Sequence, residues 1–259
     1  MQNEDRFFPA HPKSSVKKMV AVISGKGGVG KSTVTSLLAS AMNKKGYRVG
    51  ILDADITGPS IAQAFNIHSR PGAEKDGLLP VKSAGGVEIL SINMMLKNET
   101  DPVIWRGPVL NNTLKTFWSD VIWRDIDFLF LDMPPGTGDV PLTVFQSFPL
   151  DGCIVVTSPQ DLAQMVVSKS VRMAEMMDIP VIGAVENYSY ITCPDCGKKI
   201  FLFGEGRTEK IASEKGIRLL DTLPTDPALA SYMDAGRIED ADTSLVETAA
   251  AAIEALIKG

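Results

Sequence analysis

The sequence predicts a doubly wound α/β fold, a mostly parallel sheet flanked by helices on both faces. Three observations point there. From residue 19 onward, short apolar runs alternate with amphipathic stretches of helical length. The runs are continuously apolar, as strands covered on both faces are, and do not alternate apolar with polar. The first run also ends in a glycine-rich loop that opens the first amphipathic stretch.

In chain order, residues 1–17 are polar, contain proline and show no apolar period, so a flexible tail is expected there. Residues 18–259 then form one domain. Strands are predicted at 19–24, 48–52, 87–92, 128–131, 153–157, 181–185 and 218–220. Helices are predicted at 32–45, 109–120, 162–177, 208–215 and 244–257. Residues 66–86 and 97–107, rich in Gly, Pro and Asn, are longer connections than such folds need, and loops of that length are often functional or mobile. Residues 188–203 form an insertion around a cysteine pair.

Composition bounds the function. The chain has 259 residues, 44% hydrophobic and 22% charged, with 26 Lys plus Arg against 31 Asp plus Glu and a net charge of −5. Such a chain is no polyelectrolyte, and no apolar run approaches the ~18 residues of a spanning helix. The amino terminus lacks a secretory or transit pattern, so the cytoplasm is the expected compartment. The acidic balance weighs against nucleic acid as a partner. The closing stretch carries an apolar stripe at Leu245, Ala249, Ile253 and Leu256, but Glu247 and Glu254 flank it, with Lys258 as its one cation. A membrane-surface helix would be basic there, so core packing is expected and a membrane partner is not.

Gly25-Lys-Gly-Gly-Val-Gly30-Lys31-Ser32-Thr33 fits the phosphate-loop pattern GxxxxGK(S/T) in the strand-to-helix setting that pattern requires. Glycines allow backbone N–H groups to turn onto phosphate oxygens, and the helix adds its positive end. Gly27, Gly28, Val29, Gly30, Lys31, Ser32 and Thr33 are therefore expected to bind ATP, with Lys31 on the β and γ phosphates and Ser32 on Mg²⁺. Lys26 is an extra cation in the loop. It is either a solvated surface charge or a group reaching across a dimer interface to the partner's nucleotide, acting as an arginine finger does.

Carboxylates follow two predicted strands. Asp132, after four apolar residues, suits an aspartate that holds Mg²⁺. Asp55, just past its strand, is placed to orient the attacking water. Asp53 and Asp139 serve equally well as turn or cap residues. Asn187 follows another strand on the same edge, where an amide could meet a purine or simply shape a turn.

Cys193-Pro-Asp-Cys196 has the CxxC spacing, whereas the third cysteine, Cys153, lies in an apolar run and reads as core. A four-thiolate zinc or iron-sulfur site needs twice what one chain offers. Two copies meeting at a two-fold axis supply it, so dimerisation is suggested. A thioredoxin-like redox pair and a structural zinc knuckle at the dimer axis are the alternatives.

The loop with its extra lysine resembles the deviant Walker A group of P-loop ATPases, which includes MinD and ParA. Asp53-Ala-Asp-Ile-Thr-Gly-Pro-Ser, Trp105-Arg-Gly-Pro108, Asp132-Met-Pro-Pro-Gly-Thr-Gly-Asp139, Val185-Glu-Asn-Tyr-Ser189 and Cys193-Pro-Asp-Cys-Gly197 look more specifically like the Mrp/ApbC family of ATP-dependent iron-sulfur cluster carriers. The likeness spans residues 19–226. It implies a slow, homodimeric ATPase that shares a 4Fe-4S cluster between subunits and passes it between scaffold proteins and apo iron-sulfur proteins. By that likeness Lys26 is the trans lysine, and Asp55 and Asp132 are the switch acids. Asn187 contacts adenine, with residues 224–226 beside it, and Cys193 and Cys196 are the metal ligands. Tyr188 stands where many relatives carry Met. The rival from another class is a MinD or ParA-like spatial-positioning ATPase switch with a structural zinc knuckle.

Overall fold

The structure, a computed structural model, describes residues 7–55, 58–95, 107–159, 163–205 and 207–258. The first half runs β1 (Val16–Ser24), α1 (Lys31–Lys44), β2 (Val49–Asp53), α2 (Ile61–Ala64), β3 (Gly72–Glu74), β4 (Gly77–Leu79), β5 (Val81–Lys82), β6 (Glu88–Ser91), α3 (Gly107–Ser119) and β7 (Ile126–Asp132). The second half runs α4 (Asp139–Ser147), β8 (Gly152–Thr157), α5 (Ala163–Met176), β9 (Val181–Thr192), β10 (Lys199–Ile200), α6 (Arg207–Glu214), β11 (Leu219–Pro224), α7 (Pro227–Asp234) and α8 (Glu247–Lys258).

The main sheet has the order β10-β9-β8-β1-β7-β2-β6-β5, with β11 also paired to β9. All neighbours run parallel except the short end strands β5 and β10. The continuous apolar runs resolve into two cores, because successive strand residues point to opposite faces. Val20 and Val22 of β1 pack under α1, α2, α7 and α8. Met19, Ala21 and Ile23 pack under α3, α4, α5 and α6. The sheet is thus covered on both sides, and the carboxyl ends of β1, β2, β7 and β9 line up along one edge.

Several predicted boundaries shift. Residues 1–6 of the expected tail, and residues 96–106, which hold nearly all of the expected 97–107 connection and the start of the Trp105–Pro108 motif, lie outside the described residues. The chain is held against the domain from Phe8 onward: Phe8 meets Phe148 edge-on at 5.9 Å, and buried His11 donates from Nε2 to the Asp76 carbonyl at 3.0 Å. With the Trp118 indole N–H on the Phe8 carbonyl at 2.8 Å and Lys13 on Asp76 at 2.7 Å, these contacts seat a segment without any apolar period. Residues 66–86 are no bare loop, for they hold the β3–β4 hairpin and β5. Helices α2, α4 and α7 lie outside the predicted helices, although Asp226 caps α7 through the Ala228 N–H at 2.8 Å and Pro227 sits in the first turn, both ordinary start signals. The closing stretch begins as a 3-10 turn (Thr243–Val246) before α8, and it buries Val246, Ala249 and Ile253 in the core. No helix among the described residues is long and apolar enough to cross a membrane.

Candidate functional site

The phosphate loop leaves β1 and enters α1 through glycines in the conformation glycine alone adopts freely: φ is 77° at Gly28 and 76° at Gly30. Gly30 has a second reason to lack a side chain, since a Cβ there would collide with the Asn187 amide and approach the Tyr188 hydroxyl. The loop is clamped from below, where Asn187, 1% exposed, donates from Nδ2 to the Val29 carbonyl at 3.0 Å. Its Oδ1 accepts from the Tyr188 N–H. Asn187 therefore shapes the loop itself.

Lys31, Asp55 and Asp132 converge as the sequence predicts. Lys31 Nζ lies 2.8 Å from Asp132 Oδ2 and 3.6 Å from Asp55 Oδ2, with the lysine 5% exposed. The Ser32 hydroxyl donates to Asp132 Oδ2 at 2.6 Å. Thr35, which carries no sequence signal of its own, donates to Asp132 Oδ1 at 2.6 Å from the next turn of α1. Its other acceptor, the Lys31 carbonyl, lies farther off at 3.0 Å, so the single proton favours the carboxylate. Thr35 fixes one carboxylate oxygen and leaves the other facing Ser32. That hydroxyl and carboxylate pair is the hard-oxygen set Mg²⁺ takes.

The remaining acids divide. Asp53 pairs with Asp132 across the β2–β7 ladder and is fully buried, accepting from the Ser91 hydroxyl at 2.9 Å and the Asp55 N–H at 3.1 Å. Burial, and then the charge of Asp132, push its carboxyl up to about 7. Asp139 stands in the exposed first turn of α4, where a negative charge favours the helix end, and it does not join the site.

These residues open onto a cavity of about 290 Å³ lined by the whole loop from Lys26 to Thr33, by Asp55, Gly58, Ser60 and Pro135, and by Tyr188 and Met233. Met233 of α7 and Tyr188 are its two large uncharged side chains, and neither carries a sequence signal as a site residue. A larger cavity of about 350 Å³ lies against the amino ends of β2 and β7, but its cations are already matched, Arg48 with Asp125, Lys82 with Glu88 and Arg124 with Glu74.

The cysteine pair lies at the far end of β9. The turn from Cys193 to Lys198 is closed by the Cys193 N–H to the Lys198 carbonyl and by the Gly197 N–H to the Cys193 carbonyl, both 2.9 Å. Gly197 takes the left-handed φ of 71° this requires. Cys196 is exposed and Cys193 half-buried, whereas Cys153 is enclosed in β8. Backbone N–H groups of Cys196 and Asp195, and then the Cys196 thiol, hold the Cys193 thiol below its ordinary pKa, which favours the thiolate. Burial pushes the Cys153 thiol up to about 12 and keeps it inert. Among the described residues, no cluster of three or more potential metal ligands forms within one chain.

Comparison with known proteins is consistent with this geometry. Residues 15–258 match the family described as ParA: NUBPL iron-transfer P-loop NTPase. The iron-sulfur cluster carrier protein of Clostridium perfringens is 43% identical over 234 residues, which cover 87% of this chain and 82% of the relative. That of Methanocaldococcus jannaschii is 44% identical over 225 residues, covering 86% and 78%. A nucleotide-binding protein from Archaeoglobus fulgidus, solved in complex with ADP, superposes with a TM-score of 0.79 at 40% identity over 87% of this chain and 88% of its own. The MinD cell division ATPase of Pyrococcus furiosus shares the fold, with a TM-score of 0.63 at 20% identity, covering 92% of this chain and 99% of its own. The loop, the converging acids and the matched span together place this chain in the ParA/NUBPL family of iron-transfer P-loop NTPases.

Proposed function

We propose that this chain is an ATP-dependent iron-sulfur cluster carrier in which two copies hold a 4Fe-4S cluster between their paired thiols and deliver it to apo-proteins. The observation that carries this reading is the turn at Cys193 and Cys196, which presents two accessible thiols while the third cysteine is enclosed in the sheet. A four-thiolate cluster then takes two ligands from each of two chains around a two-fold axis. The names of the relatives support iron-sulfur cargo over a structural zinc. The buried stripe of α8 supports it over a membrane-positioning switch. Scaffold proteins supplying the cluster and apo iron-sulfur proteins receiving it, all in the cytoplasm and without membrane or nucleic acid, complete the proposal.

The nucleotide work falls to residues already gathered. The N–H groups of Gly27 to Thr33 and the Lys31 ammonium cradle the phosphates of ATP. Ser32 and Asp132 would hold Mg²⁺, which offsets phosphate charge. Asp55, at the cavity wall, orients the attacking water, and Lys26 reaches the partner's nucleotide when two loops face each other. Slow hydrolysis serves a switch between dimer geometries, which ATP can drive only by favouring one of them. Reconstitution of the purified chain with iron and sulfide under anaerobic conditions is expected to give about two irons per chain and a broad visible band. Replacing both Cys193 and Cys196 by Ala should remove both; a band that survives overturns the assignment.

A further inference from the structure

Strand β9 links the nucleotide cavity to the thiol turn. Its first half lies in the sheet beside β8, up to the pairing of Glu186 with Thr157. Against β11 the register then slips: Thr222 faces Glu186 and Pro224 faces Tyr190, so two residues of β11 advance while β9 advances four. The surplus is a bulge at residues 187–189, and bulges near functional sites re-aim side chains. Here Tyr188 adopts a left-handed φ of 59°, rare for a side chain of its size. Asn187 on one side is locked under the loop, and the Ser189 hydroxyl on the other donates to the Glu186 carboxylate. The result turns the Tyr188 ring out of the sheet and against Gly30, where it is 39% exposed and lines the cavity.

Beyond the bulge the same strand carries buried Tyr190, whose ring meets Phe201 at 5.7 Å under the Lys199 ammonium at 4.1 Å. Those two partners follow the thiol turn, and Cys193 itself comes five residues after Tyr188, about 17 Å along an extended strand. We propose that Tyr188 is the residue through which nucleotide in the phosphate-loop cavity changes the geometry of the Cys193 and Cys196 turn. A ligand shifts a conformational equilibrium only through contacts that differ between the two states. Among the described residues, Tyr188 is the one part of β9 that lines the cavity, and it sits in a strained, left-handed backbone. Asn187, by contrast, is fixed beneath the loop. The inference rests on the carrier reading for its purpose but not for its test.

The test is the rate at which iodoacetamide alkylates Cys193 and Cys196, followed by peptide mass spectrometry on the metal-free full chain. It is run without nucleotide and with saturating Mg-ADP or a non-hydrolysable ATP analogue, with occupancy measured on each variant. Nucleotide should change the Cys193 rate by about fivefold or more in the unmodified chain, the lower end of usual coupling energies. Tyr188→Gly, which tolerates the left-handed backbone and deletes the ring, should abolish that response, whereas Tyr188→Phe should keep it. Should the glycine variant not fold, Tyr188→Ser makes the same comparison. Thiols insensitive to nucleotide in the unmodified chain, or a response that survives loss of the ring, overturn the proposal. Failed cluster reconstitution with intact nucleotide-dependent alkylation would remove the carrier reading and leave the coupling standing.

Discussion

Without metal, the strongest competitor of a nucleotide for Lys31 is Asp132. The ammonium lies 2.8 Å from Oδ2, with the two side chains 5% and 0% exposed, so phosphate must draw Lys31 away from a buried partner. Asp132→Asn keeps the shape and removes the charge. A hydrogen bond to a charged group is worth about 1.5–3 kcal/mol net, which translates to about 10- to 100-fold in Kd. The lower part of that range is expected, because Asp55 still attracts Lys31 from 3.6 Å. Calorimetric titration with ADP in EDTA should therefore show tighter binding by the Asn variant than by the unmodified chain. With Mg²⁺ the order should reverse, since the variant has lost the carboxylate that holds the metal. An Asn variant that melts normally yet binds ADP no better in EDTA would refute the idea that Asp132 competes for the lysine.

Other consequences follow from the same contacts. Asn187→Ala strips the Val29 carbonyl of its buried donor and should cost about 1–3 kcal/mol in urea unfolding, with a rise in the Kd for ADP as the loop loosens. Thr35→Val removes the donor to Asp132 Oδ1 and should raise the Mg²⁺ needed for half-maximal tightening of nucleotide binding about tenfold, with Thr35→Ser restoring it. Asp53 has a carboxyl raised from 3.8 to about 7, so between those values the folded chain holds a proton that the unfolded chain has lost. Stability contributed by that proton is present at low pH and declines as pH rises toward 7. Asp53→Asn should remove the decline, and its advantage in urea midpoint should widen from pH 5 to pH 8.

The legible parts of the molecule were those with local signals. The phosphate loop, Lys31 and Asp132 declare themselves by glycine placement and by an acid closing an apolar run, and the register of β2 against β7 brings the acids to one edge. The cysteine turn is equally local. What sequence could not give was set by tertiary pairing. Thr35 is an ordinary helical threonine until α1 lays it beside β7. Tyr188 becomes a cavity residue only because β9 bulges against β11, and Asn187 becomes a brace only because Gly30 leaves room beneath the loop. Phe8 and His11 seat a segment that has no periodic pattern, through partners about 65 to 140 residues away in the chain.

The central claim is that the inorganic cargo is completed only by a second chain. Native mass spectrometry of the anaerobically reconstituted protein measures this directly. The account requires a species of two chains with four irons and four sulfides that vanishes when Cys193 and Cys196 are replaced. A loaded species of one chain alone, or a loaded dimer that persists without those thiols, would contradict it.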